Sequence, residues 1–132
     1  MIQLLVIPGE LPTMNDIIEA AKGRGFSKGR AVPGAAYASW KKQHTDKVWA
    51  LAKAAKLRPA TKPVTLHFLW IRRDKRTDPG NIRAAEKYIS DGLERAGVLP
   101  RDSWQWVLGF TDHFAIDKHD PRTEVLIEEC DG

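Results

Sequence analysis

Four side chains in the second half of this sequence have the types and spacing to do chemistry together: Asp78, Lys87, Asp91 and Asp102. On a helical wheel of about 100° per residue with Asn81 at zero, Lys87, Asp91, Ala84, Tyr88 and Asn81 fall between roughly 240° and 360°. An amine, a carboxylate and an amide therefore share one strip. Asp78 stands at the start of this helix and Asp102 shortly after its end. Carboxylates so grouped suit Mg²⁺, which takes a few carboxylate oxygens and keeps water and phosphate oxygens as its other ligands. The chemistry this points to is metal-assisted phosphodiester cleavage, with the lysine opposing charge that builds on the phosphate. Each residue also has a plain structural reading. Asp78 serves as an N-cap, Lys87 with Asp91 and Asp91 with Arg95 serve as exposed pairs four apart, and Asp102 serves as a turn former. On the residues alone both readings stay open.

The charge map bears on that choice. Residues 1–76 carry 15 Lys and Arg against 5 Asp and Glu, a net +10, whereas 77–132 carry 6 against 12, a net −6. A basic surface attracts a polyanion through counterion release, and a carboxylate cluster repels one unless a divalent cation reverses its local sign. The alternative is a solvated charged surface. The most basic stretch with glycines, Gly23 to Gly34 with Arg24, Lys28 and Arg30, reads as a flexible surface loop suited to a phosphate backbone.

The elements that must position these groups follow from patterning. Ile2–Ile7 is a short apolar run closed by Pro8 and Gly9, a buried strand, followed by a short apolar segment over Asp16–Lys22. Ala35–Leu57, with Tyr37, Trp40, Val48, Leu51 and Ala55 at helical spacing, is a long amphipathic helix ended by Pro59 and Pro63. Val64–Ile71 reads as a central strand apolar on both faces, in which His67 is a satisfied core residue rather than a metal ligand. The basic run Arg72, Arg73, Lys75 and Arg76 then leads into a helix over Pro79–Ala96, capped by Thr77 or Asp78 and stopped by Gly97. Its residues Ala85, Ile89, Ala96, Ile82 and Leu93 lie between roughly 40° and 120° and face the sheet. Trp104 to Ile116 alternates as a strand, with Trp104 and Trp106 in the core, and Thr123–Glu128 is the last strand. The pattern predicts an α+β fold, a small mixed β-sheet with helices packed on it, within one domain of 132 residues.

Composition excludes other classes. The chain is 42% hydrophobic and 29% charged, which predicts a folded globular protein. It holds no run of about 18 apolar residues and no basic flank or cleavage site at its start, so neither membrane insertion nor secretion is expected. Cys130 is the single cysteine, which rules out an internal disulfide and fits an intracellular compartment.

The stretch Arg72–Asp102, RRDKRTDPGNIRAAEKYISDGLERAGVLPRD, resembles the signature region of the RusA family of Holliday-junction resolvases, endonucleases common in phages and prophages. That family pattern has a basic strand end, a D-x-D-N motif, a lysine, an L-D-x-L-like helix segment, a glycine and an Asp-rich turn. Asp78 and Asn81 match the first Asp and the Asn, Lys87 the lysine, Asp91 the helix aspartate and Asp102 the turn. The opening PGELPTMN, ending on Asn15, resembles the family's P-x-x-x-N segment, and PRTEVLIE its last strand. Two departures are plain: Gly80 replaces the second Asp, and about three extra residues separate Asn81 from Lys87. Glu86 and Asp74 are nearby carboxylates, but Glu86, at roughly 140° on the wheel, points away from the strip.

The resemblance implies a homodimeric, Mg²⁺-dependent endodeoxyribonuclease, with Mn²⁺ as a substitute ion, that makes paired nicks in a four-way junction during DNA recombination and repair. Asp78, Asp91 and Asp102 would hold the metal and Lys87 would stabilise the transition state. Asn15, Lys28, Arg30, Arg72, Arg73, Lys75, Arg76 and Asn81 would contact DNA, selecting junction shape more than sequence. Competing readings are a non-catalytic junction- or nucleic-acid-binding protein, a general phosphodiesterase or flap nuclease, and a small protein-binding regulator.

Overall fold

The computed structural model describes residues 1–22, 24–27, 30–33, 35–101 and 103–131, with 24–27, 30–33 and 35–37 described by backbone alone. In chain order the elements are β1 (Ile2–Pro8), α1 (Met14–Lys22), β2 (Arg24–Ser27), β3 (Arg30–Pro33), α2 (Ala35–Ala54), β4 (Val64–Arg72), α3 (Pro79–Ile82), a 3₁₀ turn (Arg83–Ala85), α4 (Glu86–Arg95), β5 (Val107–Ile116) and β6 (Arg122–Glu129). The fold is α+β, with a mixed four-stranded sheet in the order β1-β6-β4-β5. β1, β6 and β4 pair antiparallel, and β4 pairs with β5 in parallel. No helix among the described residues is long and apolar enough to cross a membrane.

One face of the sheet carries the core. Val64, Leu66, Phe68 and Trp70 of β4 join Leu5, Ile7, Val125 and Ile127, and all are buried under Val48 and Ala52 of α2 and Ala85, Ile89 and Leu93 of the α3–α4 segment. The other face of β4, with Thr65, His67 and Leu69, is only half-buried, and Leu4 and Val6 beside it are exposed. The strand is therefore central, as its composition predicts, but covered on one side only, as antiparallel neighbours permit.

Local rules account for the helix ends. The Asp78 side chain accepts a hydrogen bond from the Asn81 amide at 3.0 Å and caps α3, with Pro79 in the first turn. Gly97, at φ +78°, ends α4 with bonds from the Gly97 and Val98 amides to the Glu94 and Leu93 carbonyls, the left-handed stop a glycine makes without strain. α2 ends by the same device, with Lys56 in the left-handed position at φ 56°, so it stops at Ala54, ahead of Pro59. α1 is closed by Thr13 and Asp16, each side chain accepting the other's amide.

Three expectations are corrected. The stretch read as a flexible loop contains an antiparallel β2–β3 ribbon pairing Arg24–Ser27 with Arg30–Pro33, whereas residues 23, 28, 29 and 34 lie outside the described residues. The helix expected over Pro79–Ala96 is interrupted by the 3₁₀ turn, which advances about 120° per residue and so rotates α4 relative to a continuous helix. Trp104 is 94% exposed and Trp106 half-buried rather than core. The Ser103 carbonyl accepts from the Trp106 and Val107 amides, closing a turn that holds Trp104 off the sheet and starts β5 only at Val107.

Gly92 sets how closely α4 approaches α2. A Cβ there would lie 2.5 Å from the Val48 Cβ and 3.2 Å from the Thr45 carbonyl oxygen. Gly92→Ala is therefore expected to destabilise the fold by about 1–3 kcal/mol even though alanine favours helix, because α2 must move away. Urea denaturation of the variant against the parent checks this; an unchanged or raised midpoint would contradict the close contact.

Candidate active site

β4 delivers the basic run to the end of the sheet where the loop after β1 also arrives. Glu10 receives it: its Oε2 lies 3.3 Å from Arg72 Nε and accepts the Arg73 amide at 2.9 Å, and its Oε1 lies 3.5 Å from Arg73 Nε. Arg72, with 13% of its side chain exposed, also reaches the Leu11 carbonyl. Its guanidinium thus pins the β1 loop to the sheet. Arg73, Lys75 and Arg76 remain exposed around Asp74, whose Oδ1 accepts the Arg76 amide at 3.0 Å. Asn15 is exposed in the first turn of α1. Arg30 lies on β3, and Lys28 falls outside the described residues.

Of the acidic members, Asp78 and Asp91 are each engaged by a neighbour on their own helical segment. Asp78 is occupied as a cap, with its Oδ2 also 3.2 Å from the Asn81 Nδ2, so Asn81 folds back on Asp78. Asp91 is paired with Lys87 at 3.0 Å on the outer face of α4. Asp78 caps α3 and Asp91 lies on α4, with the 3₁₀ turn Arg83–Ala85 between them. Asp102 lies outside the described residues; the turn that begins at Ser103 lies beside Val64, where the Trp106 carbonyl accepts the Val64 amide. Asp78 lies past the other end of β4, which is a strand of nine residues and about 26 Å long. Among the described residues no three His, Cys, Asp or Glu side chains converge as a metal site.

A different carboxyl pair lies at the middle of the helix. Asp112 of β5 accepts the Trp70 indole N–H at 2.7 Å and faces Glu86 of α4. Arg83 lies 3.8 Å from Glu86 and 4.0 Å from Asp112. Burial, followed by the hydrogen bond to Asp112 and its charge, pushes the Glu86 carboxyl up to about 7, with Arg83 opposing. The Glu86 Oε2 is buried without a partner. Glu86 and Lys87 line one open groove with Gly80, Arg83, Ser90 and Phe110, although the Glu86 carboxyl turns to Arg83 and Asp112 and the Lys87 amine to Asp91. Two readings of the wheel fail for one reason: the helix is covered on two sides. Tyr88, placed on the exposed strip, is buried with its ring 5.7 Å from Trp40 of α2. Arg95 likewise turns from Asp91 to α2, pairing with Asp46 and covering the Trp49 ring.

Asp112 escapes a reading of the sequence. Its signal is a single charge at a helix-facing position of β5, between Phe110 and Phe114, which is where a buried partner is required. His67 is satisfied as expected, by Thr111 at 2.7 Å and Glu128 at 3.1 Å, although on the open face of the sheet. No protein-family model and no curated protein sequence matches the chain.

Glu86 predicts a pH dependence of stability. Its folded pKa lies above the ordinary 4.5, so its contribution is fully present below about pH 4.5 and is lost as pH rises through about 7. Discounting for its residual contact with water, Glu86→Gln is expected to gain about 1–2 kcal/mol over the parent at pH 8.5 and nothing at pH 4. Urea denaturation of both proteins at the two pH values checks this; parallel pH profiles would contradict the shift.

Proposed function

We propose that this chain is a RusA-like, structure-specific endodeoxyribonuclease acting on four-way DNA junctions in recombination and repair. The observation that carries the reading is the signature stretch, whose exposed Arg73, Lys75 and Arg76 stand at the entry to a helix bearing Lys87 and Asp91 beside the Glu86–Asp112 pair. Exposed guanidinium and ammonium groups grip phosphates without reading sequence, as recognition of junction shape requires. Lys87 is a cation of the groove able to oppose charge on a phosphate, and Glu86 is the group there able to exchange a proton near neutral pH. Mg²⁺, or Mn²⁺ in its place, is the ion the resemblance implies. Asp78, Asp91 and Asp102 are the residues that would hold it, and the roles proposed for the other residues are binding, charge and proton exchange. The homodimer and the intracellular, phage or prophage setting belong to the same proposal.

Gly80 in place of an aspartate favours a second reading, a junction-binding protein without cleavage. Cleavage of a synthetic four-way junction and of a matched linear duplex, with and without Mg²⁺, separates the two. Paired nicks confined to the junction, absent in Asp102→Asn and reduced about 100-fold in Lys87→Ala with binding retained, are expected. Binding that is never followed by cleavage in Mg²⁺ or Mn²⁺ would establish the second reading instead.

A further inference from the structure

We propose that the loop leaving α2 is a second phosphate-binding surface, on which Lys53, Lys56 and Arg58 hold the backbone of a duplex DNA arm beyond the reach of the basic run after β4. Lys53 stands in the last turn of α2 and Lys56 in the left-handed position that ends it. All three side chains are exposed, and among the described residues none of them has a carboxylate within ion-pair distance. Lys62, further along the same loop, is exposed as well and meets the exposed Asp131 at 3.1 Å. The neighbouring Glu129 is turned inward, with 6% of its side chain exposed.

The loop is held before any ligand arrives. Gln3 of β1 donates from Nε2 to the Arg58 carbonyl at 2.8 Å and accepts the Arg58 amide at 2.7 Å. Glu129 Oε2 accepts the Thr61 amide, the Thr61 hydroxyl and the Lys62 amide, each at 3.0 Å. The Ala60 amide donates to the Val98 carbonyl at 2.8 Å, and Pro59 and Pro63 fix two further torsions. Backbone entropy is therefore lost on folding and not on binding, which favours a preformed surface for phosphates.

Charge and span select duplex DNA as the occupant. Cations without carboxylate partners attract a polyanion by counterion release. Apolar anchors for a lipid surface are missing from the loop, where Leu57 is half-buried and Ala60 buried. Arg73, Lys75 and Arg76 stand past the opposite end of β4, a strand about 26 Å long, which is the rise of about eight base pairs. A longer duplex arm reaches both clusters, whereas a shorter one reaches one at a time. The surface deepens the junction binding of the proposed function and rests on that binding, but not on cleavage.

Fluorescence anisotropy of a linear duplex of about 20 base pairs, titrated across a salt series, tests the surface. Lys53→Gln/Lys56→Gln/Arg58→Gln, with the parent's circular dichroism, is expected to bind roughly 10-fold or more weakly and to lower the slope of log affinity against log salt by about 2–3, at about 0.9 per phosphate contact. The charge-keeping Lys53→Arg/Lys56→Arg/Arg58→Lys is expected to bind as the parent does. A hairpin of about six base pairs, too short to reach both clusters, is expected to bind parent and glutamine variant within about 2-fold. An unchanged salt slope in the glutamine variant would overturn the surface and leave junction binding standing. So would an effect of that variant confined to vesicles of phosphatidylcholine and phosphatidylserine, with duplex binding unchanged. A parent that binds neither duplex nor junction would overturn the surface and the proposed function together.

Discussion

A parallel pair of strands cannot be closed by a tight turn, and the pairing of β4 with β5 is the constraint on which the rest of this structure depends. The chain leaving Arg72 has to travel back along the sheet before β5 can begin, and it does so as the α3–α4 segment. That return places the helix above both strands. It stands Glu86 over Asp112 and carries Asp78 and the Ser103–Trp106 turn to opposite ends of β4. The site is thus laid out by topology before any of its side chains interact.

Once laid out, the charges are handled in two ways. At the end of β4, Glu10 answers Arg72 and Arg73, and the basic run divides into an inward pin and an outward cluster. At the middle of the helix the balance is less complete: Asp112 has Trp70 and Arg83, while Glu86 is driven to keep its proton because a second anion beside Asp112 is costly in a partly dry groove. A residue held at about 7 next to Lys87 is a chemically responsive group in a fold otherwise satisfied by caps and paired ions.

Much of this is legible in the sequence where the controlling physics is local. Asp78 with Pro79 marks a helix start and Gly97 a helix stop, and both operate as such. Ile2–Ile7, Val64–Ile71 and Thr123–Glu128 are strands because short apolar or alternating runs with β-branched residues fit a pleated surface. The same reasoning fails at Trp104, where aromatic alternation suggests core, because whether a strand continues is decided by the Ser103 turn. It fails at Tyr88 because a wheel shows which residues share a face without showing what covers that face.

The sequence by itself determined the α+β class, the positions of its sheet strands, the caps and stops of its helices and the separation of basic from acidic halves. These rest on interactions within a few residues or on composition, and both can be read along the chain. Only the tertiary structure decided that Asp112 meets Glu86 and that Arg72 is turned inward to Glu10. Each of these depends on which strands are neighbours and on the distance the helix spans between them, and contacts across 26 or 62 positions leave no periodic trace in sequence.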